Sequence, residues 1–178
     1  MTISIRRLVP TDSQAYREIR LASLAEFPAS FGSSFEEENQ AQNQEFARSI
    51  DSSRRTAFVL GAFDGELLVG ICRFQQEDRT KTRHRGGIQS MYVRPACAGR
   101  GVGRLLVWQA VAEAFANPAI ELILLGVIAS NVVANRLYEG LGFEEYGRLP
   151  NYLLVAGAYH TMRFMALKRP VVSLGTPS

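Results

Sequence analysis

The sequence predicts a single α/β domain, and three observations carry that prediction. Its 178 residues would leave two domains small. Short apolar runs rich in Ile, Val and Leu alternate with amphipathic stretches along the chain, the pattern of strands interleaved with helices. No repeat, low-complexity stretch or linker divides it. One domain is therefore expected over residues 1–169, with a frayed tail over 170–178.

Each element has its own signal. "ISIRRL" (Ile3 to Leu8) alternates as a first strand does. Past Pro10, "TDSQAYREIRLASL" reads as a first helix, with Thr11 and Gln14 spaced as a capping box. Pro28, Gly32 and three serines make Phe27 to Phe35 a loop. "EEENQAQNQEFARSI" is expected as one second helix, its glutamates Glu36, Glu37 and Glu38 suiting the positive end of the helix dipole. "AFVLGAFD" and "ELLVGICRFQQE" form a hairpin about Gly65.

"EDRTKTRHRG" (Glu77 to Gly86) has no interleaved aromatics and reads as a solvated hairpin tip, with nucleic-acid binding as a weaker alternative. "GIQSMYV" is a further strand, ending at Arg94-Pro95. A helix from about Gly101 to Asn117 places Leu105, Trp108, Ala112 and Phe115 on one face. "AIELILLGVIA" is short and wholly apolar, as a buried strand is. Asn131 caps a last helix that stops at Gly142, and "FEEYGRL" and "YHTMRFMAL" close the chain as strands.

Composition excludes several classes. The hydrophobic fraction of 47%, the charged fraction of 21% and the net charge of +3 are ordinary for a soluble protein. No apolar run reaches the ~18 residues of a membrane span. Arg6 and Arg7 interrupt any signal-peptide core, so a cytoplasmic location is expected. The two cysteines, Cys72 and Cys97, form neither a disulfide framework nor a metal-binding spacing, and no metal is expected.

The chemical signal begins at "VRPACAGRGVGRLL" (Val93 to Leu106). Glycines at 99, 101 and 103 precede a helix whose first N–H groups lack intrahelical partners. With Arg100 and Arg104 beside them, they form a cradle for an anion. A P-loop would need Gly-Lys-Ser/Thr, and no lysine lies near. In a dinucleotide fingerprint the third glycine would fall on Arg104, one residue past Gly103.

"MYVRPACAGRGVGRLL" instead resembles the acetyl-CoA-binding motif Q/R-x-x-G-x-G/A of the GNAT superfamily of N-acetyltransferases. "NVVANRLYEGLGFEEYGR" (Asn131 to Arg148) resembles that superfamily's N-x-x-A-x-x-L-Y-E-x-x-G-F signature, and the resemblance spans nearly all of Ile3 to Leu167. It implies a mixed, mostly antiparallel, twisted sheet flanked by about four helices. It also implies that the cradled anion is the pyrophosphate of acetyl-CoA, held by residues 98 to 104: Ala98, Gly99, Arg100, Gly101, Val102, Gly103 and Arg104. The backbones of Met91 and Val93 would meet the pantetheine and acyl group, the Val93 N–H as oxyanion donor. Ala98 stands where the motif has Gln or Arg, which leaves Arg100 or Arg104 to replace one side-chain contact.

Asn131, Asn135 and Tyr138 share one face of the last helix at i, i+4 and i+7; Val133, Leu137 and Leu141 share another, expected to be core. By itself the polar stripe is equally consistent with simple solvent exposure. Under the resemblance Asn131 and Asn135 belong to the cofactor site, and Tyr138 matches the tyrosine acting as general acid toward the departing thiolate. A free tyrosine (~10) and a thiol (~8.5) make full proton transfer uphill by about 2 kcal/mol, so a late-yielding hydrogen-bond donor describes it better.

The general base is not visible; candidates are Glu36 to Glu38, Glu77, His84 and His160. The acceptor is a primary amine: a small amine, an amino-acid-like compound or a protein N-terminus. Its contacts are expected in "PASFGSSFEEENQ" and "PNYLLVAGAY". A non-catalytic acyl-CoA-binding module of the same fold is the rival reading. Strand-mediated dimers are frequent among GNAT proteins, so a homodimer stays open.

Overall fold

The computed structural model describes residues 3–50 and 56–170, so the tail expected from 170 onward lies outside the described residues except Pro170. The chain runs β1 (Ile3–Arg7), α1 (Ser13–Glu26), α2 (Phe35–Asn39), α3 (Asn43–Ser49), β2 (Ala57–Asp64), β3 (Leu67–Gln76) and β4 (Arg85–Val93). It continues through α4 (Val102–Ala116), β5 (Leu122–Ile128), α5 (Val132–Glu139), β6 (Glu144–Val155) and β7 (Ala158–Lys168). The strands form one seven-stranded sheet in the order β1-β2-β3-β4-β5-β7-β6. Neighbours are antiparallel except β4 and β5, which run parallel. No helix among the described residues is long and apolar enough to cross a membrane.

β2 and most of β3 are buried on both faces, because helices cover both sides of the sheet. On one side Leu106, Val107 and Ala110 of α4 pack with Leu60, Cys72, Ile123 and Met165. On the other, Tyr16 and Ile19 of α1 and Phe46 of α3 pack with Val59, Ile71 and Tyr92. Burying these side chains is the main stabilising term, about 1.5–3 kcal/mol for each large apolar residue.

Four local expectations are corrected. The Thr11 capping box does not form: Pro10 opens a short 3-10 turn over Pro10–Asp12, and the Asp12 carboxylate accepts the Val9 N–H at 2.8 Å and binds Arg6. The second helix is two helices. α2 carries a capping box between Ser34 and Glu37, and contacts with α1 end it: Arg17 donates to the Asn39 carbonyl at 3.0 Å, and Asn43 donates to Gln14 at 2.9 Å.

The Leu105–Trp108 face of α4 points outward, Trp108 being 59% exposed, while Val102, Leu106, Val107, Ala110 and Ala114 face the sheet. α4 is apolar nearly all round, and its alanines allow the closest approach. The face of α5 expected to be core is so only in part: Leu137 and Leu141 pack against the core, but Val133 does not and the polar stripe is buried deeper. Val133 is 80% exposed, whereas Asn135 and Tyr138 are 7% exposed. Burial of Asn135 is tolerated because its side-chain amide is fully engaged, as described below.

β6 extends through "PNYLLV", with a register break between Leu149 and Leu153 where Asn151 has φ +55°.

Candidate active site

β4 and β5 pair only through Arg85–Gly87 and Leu122–Leu124. Past these residues β4 stays paired with β3 and β5 with β7, so an opening separates β4 from β5 in the middle of the sheet. Arg94 donates its N–H to the Val69 carbonyl at 2.8 Å. Strand alternation then turns the Val93 N–H away from β3, toward that opening. Ser90 interrupts the β3–β4 ladder with φ +50°, and the register shifts between Ile71 and Arg73. A left-handed serine in a bulge is local strain, which frees nearby backbone polar groups of β4 from ladder pairing.

The glycine loop follows β4. Cys97, buried, pins a 3-10 turn over Pro95–Cys97; Gly99 (φ +73°) and Gly101 (φ +78°) then bend the chain into α4. A Cβ on either glycine would meet nothing within 4 Å, so their requirement is the left-handed backbone. Gly103 differs: its Cβ would come within 2.7 Å of Met91 Cε and 3.2 Å of Leu137 Cδ1. The helix has no side-chain cap at Gly101, and its first backbone bond runs from the Leu105 N–H to the Gly101 carbonyl at 3.0 Å. The N–H groups of Val102, Gly103 and Arg104 thus point out of the helix end, fitting a phosphate group there. Val102 is buried and anchors this turn, while Ala98 and Arg100 are exposed. Arg104 Nη1 would lie 3.0 Å from a Cβ on Gly140, so this guanidinium rests against the C-terminal turn of α5.

α5 enters from the same side of the sheet. The Asn131 side chain caps it, accepting the Ala134 N–H at 3.1 Å. Asn135 Nδ2 donates to the carbonyls of Ile128 (3.0 Å) and Asn131 (2.7 Å), and its Oδ1 accepts from Arg163 at 2.8 Å. Asn135 therefore ties α5 to the end of β5 with its amide spent. Tyr138 packs edge-on against Phe143, ring centroids 5.9 Å apart. Burial pushes its hydroxyl well above the usual tyrosine range, and the neighbouring Cys72 thiol adds to the effect. Cys72 is itself wholly buried and pushed up to about 12, as an inert structural thiol is.

The opposite side of β4 holds a cavity of about 290 Å³. Tyr16 and Arg20 of α1, Glu38 of α2, Glu45 and Phe46 of α3, Arg73 of β3 and Gln89 and Ser90 of β4 line it. Arg20 forms a two-pronged pair with Glu38, Nε to Oε2 at 2.9 Å and Nη2 to Oε1 at 2.6 Å. Burial raises the Tyr16 hydroxyl pKa, opposed by the positive charges of Arg73 and Arg20. A larger cavity of about 470 Å³ lies at the β1 edge around Arg6 and Asp12, three strands from the β4–β5 opening.

Among the base candidates, only Glu38 reaches the cavity beside Ser90. Glu37 is held in the α2 capping box. His84 lies six residues before Ser90, about 20 Å along the strand, where its carbonyl accepts the Glu121 N–H at the closed end of the opening. Glu77 precedes that same end, its N–H donating to the Arg85 carbonyl. His160 lies on β7 beyond Met162, the last residue paired with β5.

Sequence reasoning missed Arg20, Glu45 and Arg73 as site residues. It also missed Glu26: burial pushes the Tyr92 phenol up to about 12, and the Glu26 carboxylate, which accepts its hydroxyl at 2.8 Å, adds to the shift. Nothing in their spacing marks these residues, since only the packing of α1 to α3 on the sheet assembles them. No group of three or more metal-ligating side chains occurs among the described residues.

Comparison with known proteins shows the family and the fold. The profile of the acetyltransferase (GNAT) family matches residues 17–143, and the chain belongs to that family. A search of curated proteins finds no match to the chain. Solved structures share the fold. An acetyltransferase of the GNAT family from Streptococcus pneumoniae is 20% identical with a TM-score of 0.79, over 94% of this chain and 100% of that one. The Salmonella typhimurium protein yncA, solved with its cofactor acetyl-CoA, is 20% identical with a TM-score of 0.79, over 94% of each chain. A ribosomal-protein-alanine N-acetyltransferase from Brucella melitensis is 22% identical with a TM-score of 0.77, over 93% of this chain and 99% of that one.

Proposed function

We propose that the protein transfers the acetyl group of acetyl-CoA to a primary amine within a ternary complex. One observation carries the reading: Met91 of β4 and Leu137 of α5 converge on Gly103 of α4. That contact brings the uncapped N-terminus of α4, the open edge of β4 and the tyrosine helix together on one side of the sheet. In this reading the acceptor occupies the cavity on the other face, beside Gln89 and Ser90 of β4, and its amine reaches the thioester through the β4–β5 opening.

In this reading the N–H groups of residues 102 to 104, presented by the left-handed turns at Gly99 and Gly101, hold the pyrophosphate. Ala98 and Arg100 border it. The pantetheine arm lies along the open edge at Met91 and Val93. The amine nitrogen attacks the thioester carbonyl, whose developing oxyanion accepts the Val93 N–H. The carbon–sulfur bond then breaks and the amide forms. The amine proton passes to a carboxylate of the cavity, Glu38 or Glu45, directly or through water.

The Tyr138 hydroxyl donates a hydrogen bond to the departing thiolate. Its raised pKa keeps the proton on the phenol until the sulfur carries charge. Asn131 and Asn135 act one step back, holding α5 and hence Tyr138 in place. A cytoplasmic protein and a homodimer complete the proposal. The dimer rests on the aromatic side chains of Tyr146 and Tyr152 along the edge strand β6, and light scattering tests it.

Free-thiol release from acetyl-CoA with a panel of amines tests the chemistry. Amine-dependent release establishes the transferase. Binding of acetyl-CoA with no release from any amine would instead favour the non-catalytic acyl-CoA module.

A further inference from the structure

The acceptor cavity contains more hydrogen-bonding capacity than the protein uses. Arg20 is 6% exposed; its Nε and Nη2 are taken by Glu38, yet its buried Nη1 has no partner. Arg73, across the cavity on β3, donates through Nη2 to Gln75 at 3.1 Å, and its buried Nε is likewise unpartnered. The Arg20 guanidinium lies over the ring of Phe31 at 4.8 Å, which fixes its plane without satisfying Nη1. Arg85 Nε is the third buried guanidinium nitrogen without a partner among the described residues, but Arg85 starts β4 and does not line this cavity.

A buried charged donor left unmatched is destabilising, so two such donors on side chains that line one cavity call for an acceptor group bound there. A guanidinium N–H is matched best by a planar anionic oxygen pair. The cavity also holds two carboxylates, Glu38 and Glu45, against the two cations Arg20 and Arg73. The protein charges already balance, and the ligand that fits both ends carries an anion and an amine.

We propose that Arg20 Nη1 and Arg73 Nε bind the carboxylate of the acceptor, and that the acceptor is a small amino acid or related amino-carboxylate. This rests on the acetyltransfer reading for its chemistry, but the carboxylate subsite stands on the cavity alone. The subsite places the carboxylate near Arg20 and Arg73 and the amine beside Ser90, next to the β4–β5 opening. About 290 Å³ accommodates a free amino acid and excludes a folded protein surface from the depth of the cavity.

The test pairs L-amino acids with their carboxamides at millimolar concentration, on wild type, Arg73→Gln and Arg73→Lys. Two readouts are taken: thermal stabilisation of the CoA-loaded protein, and free-thiol release from acetyl-CoA. The account expects acids to stabilise wild type and amides not to. It also expects KM for an accepted acid to rise about tenfold or more in Arg73→Gln with kcat nearly kept, and Arg73→Lys to recover part of the loss. The amine of a carboxamide is the less basic of the pair, near ~8, so a poorer amide reports the lost carboxylate contact rather than a harder deprotonation. Unchanged acetyl-CoA stabilisation of both variants shows that they fold.

Stabilisation by acids with no thiol release would sustain the subsite and sink the transferase reading. Amides or simple amines turned over as well as acids, with Arg73→Gln indifferent, would overturn the subsite and leave the transferase. No stabilisation of wild type by any acid would likewise overturn it.

Discussion

Met91 and Gly103 are packed so closely that a Cβ on the glycine would stand 2.7 Å from the methionine Cε. The strand that would receive the acyl arm and the helix end that would receive the pyrophosphate are therefore set against each other by the absence of one carbon. Gly99 and Gly101, a few residues earlier, have open space around them and serve the backbone bend instead.

Gly103→Ala sets a Cβ against the flexible end of Met91, which can swing aside, so overpacking is expected to offset the gain in helix propensity and leave stability within about 1 kcal/mol of wild type, while KM for acetyl-CoA rises. Urea unfolding and steady-state kinetics check both effects. The two positions should be coupled, Gly103→Ala being less costly in a Met91→Ala background because the close contact is pairwise; strict additivity would contradict the packing account.

Tyr138→Phe keeps the ring against Phe143 and removes only the hydroxyl. A fall in kcat of about 100-fold, with KM for acetyl-CoA and the melting temperature nearly unchanged, is expected of a group that acts on the leaving thiolate. Because burial raises the phenol's pKa, wild-type kcat should show no descending limb from tyrosine ionisation below pH ~10. A wild-type limb near pH 8 that vanished in Tyr138→Phe would reverse this assignment.

Asn135→Ala removes the donor to the Ile128 and Asn131 carbonyls and the acceptor of Arg163 in one step. The buried partners left behind make a loss of about 2–3 kcal/mol the expected result in urea unfolding. Activity should fall with the folded fraction and with misplacement of Tyr138. A fully stable but inactive variant would mean that Asn135 touches the cosubstrate itself.

Glu145 accepts hydrogen bonds from Arg148 (2.7 and 2.9 Å) and Arg163 (2.5 Å), and these hold its carboxyl down at about 2, against an ordinary 4.5. The unfolded chain binds this proton more readily than the folded one. The stabilisation is complete above pH ~4.5 and is lost as pH falls toward ~2. Glu145→Gln should flatten stability against pH in that window, measured by thermal melts in acid. The side chain is on the surface, so added salt should shrink the difference.

The sheet and the glycine loop were legible because their signals are local: period-two apolar runs, Asp64-Gly65 at a hairpin, and glycines where the chain must turn left-handed before α4. Two helix faces were not. α4 is apolar all round, so periodicity could not choose between Leu105–Trp108 and Leu106–Ala110. In α5 the polar stripe turned inward because Asn135 found three main-chain or guanidinium partners that no spacing rule reveals. The cavity proposed for the acceptor was legible only in part, through the segment containing Glu38; Arg20 and Arg73 meet there by tertiary packing of α1 on β3, across more than fifty residues of sequence.

The central claim is that the start of α4 cradles acetyl-CoA, and thermal unfolding with and without acetyl-CoA tests it most directly, on wild type, Gly101→Asn and Gly101→Glu. Asparagine tolerates the left-handed backbone at φ +78°, whereas glutamate adds a negative charge where the pyrophosphate would sit. At 100 times its dissociation constant the ligand should stabilise wild type by about 2.7 kcal/mol, Gly101→Asn nearly as much, and Gly101→Glu hardly at all. Absence of any shift in wild type at millimolar acetyl-CoA, or an equal shift in Gly101→Glu, would contradict the account.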